Sequence, residues 1–293
     1  MDHILSIDQF DRQKLETIFH LSAQQDNFSP KTGHMIFGEG STIIRKTLAT
    51  AFFEPSTRTR LSFESAFIKL GGEILSIENA FDNSSNAKGE SFLDTIRTIS
   101  NYADFVVFRH PEPNSASEAS KVSNCPIINA GDGDGEHPTQ AILDLYTIWK
   151  EKGQIDGLKI GILGDLKKAR TINSFKRALK HFDVEIFEFD NFAWTTQKEL
   201  EEYKSKLIQC DVVYLTRYQV ERHAGNFSSP NIFLNANYKP IKEDAIVLHP
   251  LPRGPECSID FDGDPRAKYW DQVKNGIAVR QALILALSGY IKL

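Results

Sequence analysis

The sequence predicts an α/β protein built of two Rossmann-like three-layer domains, each a parallel sheet with crossover helices. Three observations predict it. Short β-rich apolar runs alternate with stretches of helical period along the 293 residues, which is the pattern of a parallel sheet. The alternation pauses at a long helical stretch over 139–152 and then starts afresh. The length suits two domains of common size.

Taken in order, Thr47 to Phe53 reads as a strand and Thr57 to Leu70 as a helix, ended by Gly71-Gly72, where glycine relieves the left-handed strain of a C-cap. Glu73 to Ile77 begins the next strand. Ser91 to Tyr102 places Phe92, Ile96, Ile99 and Tyr102 near one helical face, and strands follow at Asp104 to Phe108 and Pro126 to Ala130. From Thr139, Ile142, Leu145, Tyr146 and Trp149 keep helical spacing up to Gly153, and this helix is the expected domain connector. Leu158 to Leu163, Val184 to Phe189, Asp211 to Thr216 and Ala245 to Leu248 are then strands, with helices beginning near Thr171 and Gln197. A last amphipathic helix is expected from about Gly276 to Tyr290. The predicted boundaries are 1–138 plus 277–293 for one domain and 139–276 for the other, the helix 139–152 joining them; the alternation alone does not fix the destination of the last helix.

Composition narrows the function. With 41% apolar and 25% charged residues the chain can bury a core, and a formal net charge of −5 disfavours nucleic acid as a partner. Cys125, Cys210 and Cys257 are odd in number and form no CxxC pair, which suggests neither a disulfide framework nor a zinc ribbon and fits a reducing cytosol. No apolar run approaches the roughly 18 residues that span a bilayer, so a cytoplasmic protein without a membrane partner is expected. Gly161 to Asp165 lacks the third glycine of a dinucleotide fingerprint, which rejects NAD. Asp132 to Glu136 superficially suggests a calcium loop, but His137 and Leu143 stand where the turn glycine and the bidentate glutamate are needed. No metal or organic cofactor is expected.

The segment Phe53-Glu54-Pro55-Ser56-Thr57-Arg58-Thr59-Arg60 lies between a predicted strand end and a helix start. Free backbone N–H groups and the helix dipole there favour an anion, hydroxyls donate to phosphate oxygens, and an arginine fork adds a charge-assisted pair. Ser-Thr-Arg-Thr alone could equally be an N-cap with solvated arginines. The longer string Phe-Phe-Glu-Pro-Ser-Thr-Arg-Thr-Arg-Leu-Ser-Phe is far more specific.

Together with His137-Pro-Thr-Gln140, residues 164–171 (GDLKKART), 216–222 (TRYQVER) and 249–253 (HPLPR), and with 84–90 (SSNAKGE) and 264–283 between and after them, the segment makes the chain resemble the catalytic chains of the aspartate carbamoyltransferase family. The motifs fall in that family's order from the first helix to the end. The resemblance implies transfer of the carbamoyl group of carbamoyl phosphate to L-aspartate, giving N-carbamoyl-L-aspartate and phosphate, the committed step of pyrimidine synthesis. Its substrates bring roughly four negative charges, which a dry site must balance at several kcal/mol each; the matching cations are Arg58, Lys88, Arg109, Arg170 and Arg217.

The resemblance implies a role for each matched residue. Ser56, Thr57, Arg58 and Thr59 hold the phosphate, and Arg109 reaches phosphate and carbonyl oxygen. His137 polarises the carbamoyl carbonyl and Gln140 accepts from its NH₂. Thr59, Arg109 and His137 then stabilise the oxyanion, at about 3 kcal/mol per well-aimed donor. Arg170 and Arg217 clamp the carboxylates of aspartate with Gln219 beside them, while Leu251 and Pro252 offer backbone carbonyls. Glu54, His110 and His249 are expected to serve structural hydrogen bonds. Ser84 and Lys88 sit on a loop that in this family enters the neighbouring chain's site, which implies a homotrimer with shared sites; a regulatory chain or a dihydroorotase is left open as a further partner. Attack comes directly from the aspartate amine, since no side chain stands out as an activated nucleophile.

Some positions depart from the family pattern. Lys168, Ala169 and Asn173, around Arg170, stand where the family often has an aromatic, a glycine or asparagine, and a histidine; Ala87 replaces a frequent second lysine before Lys88. An ornithine-type enzyme is the nearest alternative, but its Ser-Met-Gly element is missing, His249-Pro250-Leu251-Pro252 replaces His-Cys-Leu-Pro, and Arg217 would repel ornithine's ammonium. A catalytically silent scaffold paralogue is disfavoured by the intact Arg58, Lys88, Arg109, His137, Arg170 and Arg217.

Overall fold

The computed structural model describes residues 2–26, 46–78, 89–164, 166, 169–190, 197–217, 235, 240–254, 256–291 and 293. Ser84, Ala87, Lys88, Lys168 and Gln219 lie outside them. The chain divides into two compact units, Met1–Leu143 with Asn275–Leu293, and Asp144–Lys274.

The first unit contains α1 (Arg12–Asp26), β1 (Thr47–Phe52), α2 (Thr57–Lys69), β2 (Glu73–Glu78), α3 (Phe92–Ile99), β3 (Phe105–His110), α4 (Ser115–Val122), β4 (Ile127–Asp132) and the start of α5 (Pro138–Lys152). The second contains the rest of α5, then β5 (Lys159–Gly164), α6 (Arg170–Leu179), β6 (Glu185–Asp190), α7 (Gln197–Leu207), β7 (Val212–Leu215), β8 (Ile246–Leu248) and the start of α8 (Tyr269–Leu287), whose remainder returns to the first. The sheets run β2-β1-β3-β4 and β6-β5-β7-β8, with every neighbouring pair parallel. One topology is therefore used twice.

Local sequence explains the elements. Thr59, Phe63, Ala66 and Phe67 recur at helical spacing and form the buried face of α2, and burying Phe63 and Phe67 contributes about 1.5–3 kcal/mol each. The helix stops where Gly71 takes φ 83° and the N–H of Gly72 donates back to the carbonyl of Phe67. Ser91 caps α3 by accepting from the N–H of Asp94.

Two expectations are corrected. The helix expected to run to Tyr102 ends at Ile99, and Tyr102 is 68% exposed in the turn that follows. The last helix begins at Tyr269, earlier than Gly276, and it is not amphipathic where it re-enters the first unit: each residue from Ala278 to Leu287 is buried. A helix covered all round loses the polar stripe that sequence periodicity looks for. Its one cation there, Arg280, is buried, donates to the hydroxyl of Ser62 at 2.9 Å and stands 4.8 Å from the Phe63 ring centroid on α2. The short α4 was not foreseen, because Ser115, Ala116 and Ala119, the residues it buries, are small and carry little apolar signal. No described helix is long and apolar enough to cross a membrane.

Candidate active site

In an open parallel sheet, ligands meet the carboxyl ends of the strands where the order reverses. In the first unit that place lies between β1 and β3, the strands that end next to Ser56–Thr59 and at Arg109. The chain leaves β1 through Phe53 and Pro55 and enters α2 at Thr57, with Ser56 in the N-cap position. The Ser56 side chain makes no capping bond, so the N-cap reading does not account for it. Thr57 and Arg58 are exposed and Thr59 is buried. The first amides of α2 thus open onto the sheet edge beside two hydroxyls and a guanidinium.

Arg109 enters the same edge from β3. It is paired in register with Phe52, and its carbonyl accepts from the N–H of Phe53 at 2.8 Å. Its guanidinium is fixed from both sides: Nη2 lies 2.7 Å from Glu54 Oε1, and Nη1 donates to the carbonyl of Ala130 at 3.2 Å. That carbonyl is available because the register slips between Phe108 and His110: Phe108 pairs with Asn129 but His110 pairs with Asp132. The extra residue on β4 re-aims the backbone, and Gly131 in the bulge has φ 117°. Glu54 is thus the partner of Arg109, a long-range ion pair that sequence spacing does not reveal.

His110 turns the other way. Its ring lies among Phe53, Phe92 and Phe108, stacked on the last at 5.7 Å, and its Nδ1 accepts from the N–H of Glu112. Burial holds its pKa below the ordinary histidine value, which makes it a neutral packing group. Arg60, two residues after Arg58, also points away: its Nη1 reaches Glu64 Oε1 at 3.3 Å and Ser76 Oγ at 3.0 Å, in a cluster completed by Thr50. Only one arginine of the Arg-Thr-Arg run is therefore exposed at the helix start.

His137 and Gln140 follow β4. The carbonyl of His137 accepts from the N–H groups of Gln140 and Ala141 as α5 begins, with Pro138 at the first helical position, where its missing N–H costs nothing. Both His137 and Gln140 are buried.

The second unit repeats the arrangement with different residues. Arg170 opens α6 beyond β5 and is 7% exposed, Arg217 follows β7 after Thr216, and Leu251-Pro252 follows β8. β5, β7 and β8 are adjacent, so these loops share one edge of the sheet. Gly164 brings the β5 and β7 ends close: at φ 136°, a Cβ there would overlap the hydroxyl and carbonyl of Thr216. Ala169 is buried, whereas Asn173 is exposed, so the departure at 173 leaves no core position unfilled.

Leu251 has φ 59°, and the bond to Pro252 is cis. The turn is held at its start by His249, whose Nδ1 accepts from the N–H of Leu251 at 2.8 Å. Since Nδ1 accepts there, Nε2 carries the proton and donates to Glu256 Oε1 at 2.9 Å. Burial alone would raise the Glu256 carboxyl, but hydrogen bonds from His249 and from the N–H of Gly254 outweigh it and hold the pKa below the usual value. The far end of the turn is held by Arg253, paired through both nitrogens with Asp262 and lying over the rings of Tyr269 and Trp270, at 5.6 and 5.7 Å from their centroids. Sequence reasoning missed Glu256 and Asp262; a signal for Glu256 was its place a few residues beyond a histidine in a motif.

Among the described residues no group of three or more His, Cys, Asp or Glu side chains is arranged to hold a metal ion.

Comparison with known proteins identifies the lineage. Residues 2–150 match the aspartate/ornithine carbamoyltransferase carbamoyl-P binding domain, and residues 156–287 match the Asp/Orn binding domain of the same family. The chain is 42% identical to aspartate carbamoyltransferase 1 of Pisum sativum, a chloroplastic protein, over 98% of this chain and 78% of that one. It is 40% identical to the aspartate carbamoyltransferase catalytic subunit of Methanopyrus kandleri, over 98% and 97%. Its fold superposes with a TM-score of 0.84 on the crystal structure of aspartate transcarbamoylase from Trypanosoma cruzi in complex with carbamoyl aspartate and phosphate, at 33% identity and covering 98% of this chain and 95% of that one. With both of its domain types present in order, the chain belongs to the aspartate/ornithine carbamoyltransferase family of carbamoyl-transferring enzymes.

Proposed function

We propose that this enzyme transfers the carbamoyl group of carbamoyl phosphate to the α-amine of L-aspartate, releasing phosphate, as the committed step of pyrimidine synthesis. The observation that carries this reading is the anion-binding edge of the first unit: Ser56 left uncapped at the start of α2, with Arg109 pinned beside it by Glu54 and Ala130. The bound product and phosphate in the similar Trypanosoma cruzi structure support it.

Ser56, Thr57, Arg58 and Thr59 receive the phosphate, with Arg109 reaching its bridging side. His137 donates to the carbamoyl oxygen and Gln140 accepts from the NH₂ group. As the amine attacks the carbonyl carbon, the carbonyl electrons move onto oxygen, and Thr59, Arg109 and His137 stabilise that charge. Collapse of the intermediate breaks the C–O bond to phosphate, and the departing phosphate takes the amine proton. Arg170 and Arg217 fix the carboxylates of aspartate with Gln219, and Leu251 and Pro252 orient the carbamoyl and amino groups through their carbonyls. Holding two reactants in register supplies about 7–11 kcal/mol of the barrier. A covalent thiol route is disfavoured, since burial pushes Cys210 up to about 12 and Cys257 up to about 11 and also raises Cys125.

Ser84 and Lys88 complete the site from a neighbouring chain of a homotrimer. Exposed Leu61 and Ile68 on α2 and Leu75 on β2 supply apolar surface in support. Mixing inactive Arg58→Ala and Lys88→Ala proteins would then restore activity in hybrid trimers. Three free thiols suit a reducing compartment such as the cytosol.

The deciding assay offers carbamoyl phosphate with aspartate or with ornithine and measures carbamoyl-aspartate and citrulline. Carbamoyl-aspartate is expected. Citrulline alone would assign the ornithine reaction, and no product would leave a scaffold protein.

A further inference from the structure

Beneath the substrate-facing edge of the second unit lies a buried polar chain to which the proposed reaction gives no task. Asp144, in α5, is fully buried between Ile142 and Leu145 on an otherwise apolar stretch. Its Oδ2 accepts from the hydroxyl of Tyr214 at 2.8 Å, and its Oδ1 accepts from Gln272 Nε2 at 2.6 Å. The orientation of Gln272 follows from its other bond, in which Oε1 faces the backbone N–H of His249 at 2.8 Å. An N–H can only donate, so the amide oxygen faces His249 and the NH₂ group faces the carboxylate. The hydroxyl of Tyr214, which donates its hydrogen bond to Asp144, accepts one from the side chain of Thr171.

The chain Thr171–Tyr214–Asp144–Gln272–His249 joins five segments, α6, β7, α5, α8 and the loop after β8. One end is the residue after Arg170. Tyr214 lies on β7, three residues before Arg217. The other end is the residue that receives the N–H of Leu251. Arg170, Arg217 and the Leu251–Pro252 turn, three of the groups assigned to substrate in this unit, are thus close chain neighbours of a polar network centred on one carboxylate. Packing alone does not call for it, because a buried polar cluster is commonly no more stable than apolar residues of the same volume. What the polar chain adds is direction, since each bond fixes one geometry.

We propose that Asp144 is a positioning residue of the transfer reaction, acting through Gln272 on the Leu251–Pro252 turn and through Tyr214 on the strand and helix ends that carry Arg217 and Arg170. The inference rests on the reading of this edge as the aspartate site.

The test uses the full-length enzyme with Gln272→Met and Tyr214→Phe. The first keeps the side-chain length and deletes both bonds of the amide; the second deletes one hydroxyl and leaves the ring stacked on Phe175 at 4.6 Å. Gln272→Met is expected to lower kcat about tenfold and Tyr214→Phe to raise the KM for aspartate about threefold, as loss of buried hydrogen bonds to a positioning group predicts. The inhibition constant of inorganic phosphate, which reports the first unit, is expected to stay within about twofold. Folded variants whose kcat and aspartate KM both remain native would overturn the inference, including the case in which only the melting temperature falls. If Gln272→Met does not fold, Tyr214→Phe decides alone. A native enzyme that forms no carbamoyl-aspartate would overturn the functional reading and this inference with it, whereas an active native enzyme with unaffected variants would overturn the inference only.

Discussion

In the first unit most of the residues assigned to phosphate come from one run, Ser56 to Thr59, and Glu54 of the same run reaches across to Arg109 on β3 at 2.7 Å. In the second unit, built on the same strand order, Arg170, Arg217 and the Leu251–Pro252 turn come from three separate loops. Their support is a buried chain of hydrogen bonds spanning 128 residues between Asp144 and Gln272. The first edge is specified mainly by charge and local backbone, the second by long-range polar geometry. A phosphate needs many donors on one centre, which the start of a helix supplies at once. A dicarboxylate presents two charged centres, which arginines from two different loops can meet at once.

The comparison is sharpest at Arg58. Exposed at the start of α2, it contributes little to packing, so Arg58→Ala is expected to cut kcat/KM by about a hundredfold or more while leaving the thermal midpoint unchanged. A variant that melts early but turns over normally would mean the arginine is structural and the local edge is not a phosphate site.

The second edge breaks through its backbone. In Gly164→Ala a methyl group meets the Thr216 hydroxyl and carbonyl at a φ of 136°, and strain of this kind costs on the order of 2 kcal/mol or more. The expected outcome is a lower melting temperature together with a raised KM for aspartate, because Arg217 is the next residue after Thr216. Unchanged phosphate inhibition in the same variant would show that the two edges are independently supported; a parallel loss would show that they are not.

The contrast also explains what was legible in the sequence. The eight strands of the described residues were readable, β1, β3, β4, β5, β7 and β8 as short continuous apolar runs and the partly exposed edge strands β2 and β6 by their β-rich residues, and the helix after β1 was bounded by Gly71. The anion edge was readable from Pro55 to Thr59 because its residues are contiguous. The supports were not. The bulge that aims Ala130 at Arg109 leaves no mark in composition, and the distinct fates of Arg58 and Arg60 depend on Glu64 and Ser76 across the fold. Asp144 looked like one polar residue in a helix, because nothing local tells that Tyr214 and Gln272 will meet it. The tail of α8 was misread as amphipathic because Arg280 and Gln281 are polar yet buried.

A smaller effect separates charge from geometry at the Leu251–Pro252 turn. The Glu256 carboxyl is held below its ordinary pKa of 4.5, so in the native state it binds protons less readily than in the unfolded chain. Its contribution to stability is therefore complete above about pH 4.5 and is lost as the pH falls through the lower folded value. Glu256→Gln keeps an acceptor for His249 and Gly254 without the charge. It is expected to lower stability near pH 7 by about 1 kcal/mol and to lose less than the native enzyme when denaturant titrations are repeated between about pH 5 and pH 3. An equally steep acid limb in the variant would place the responsible carboxylates elsewhere.

The smallest effect is expected at Arg60, and it tests the local edge from the other side. Its side chain is 17% exposed and its guanidinium bonds to Glu64 and Ser76, so Arg60→Ala removes a partly buried pair and leaves Glu64 with its hydroxyl donors Thr50 and Ser76. Stability is expected to fall by about 1 kcal/mol, as for a pair near the surface, and kcat/KM to stay within about threefold of native. Arg58 and Arg60 then form a matched pair two positions apart on one helix, one acting on turnover and the other on stability. If Arg60→Ala instead abolished turnover at native stability, the anion edge would extend around the helix to the β2 side, and Arg109 with Arg58 would no longer suffice to describe it.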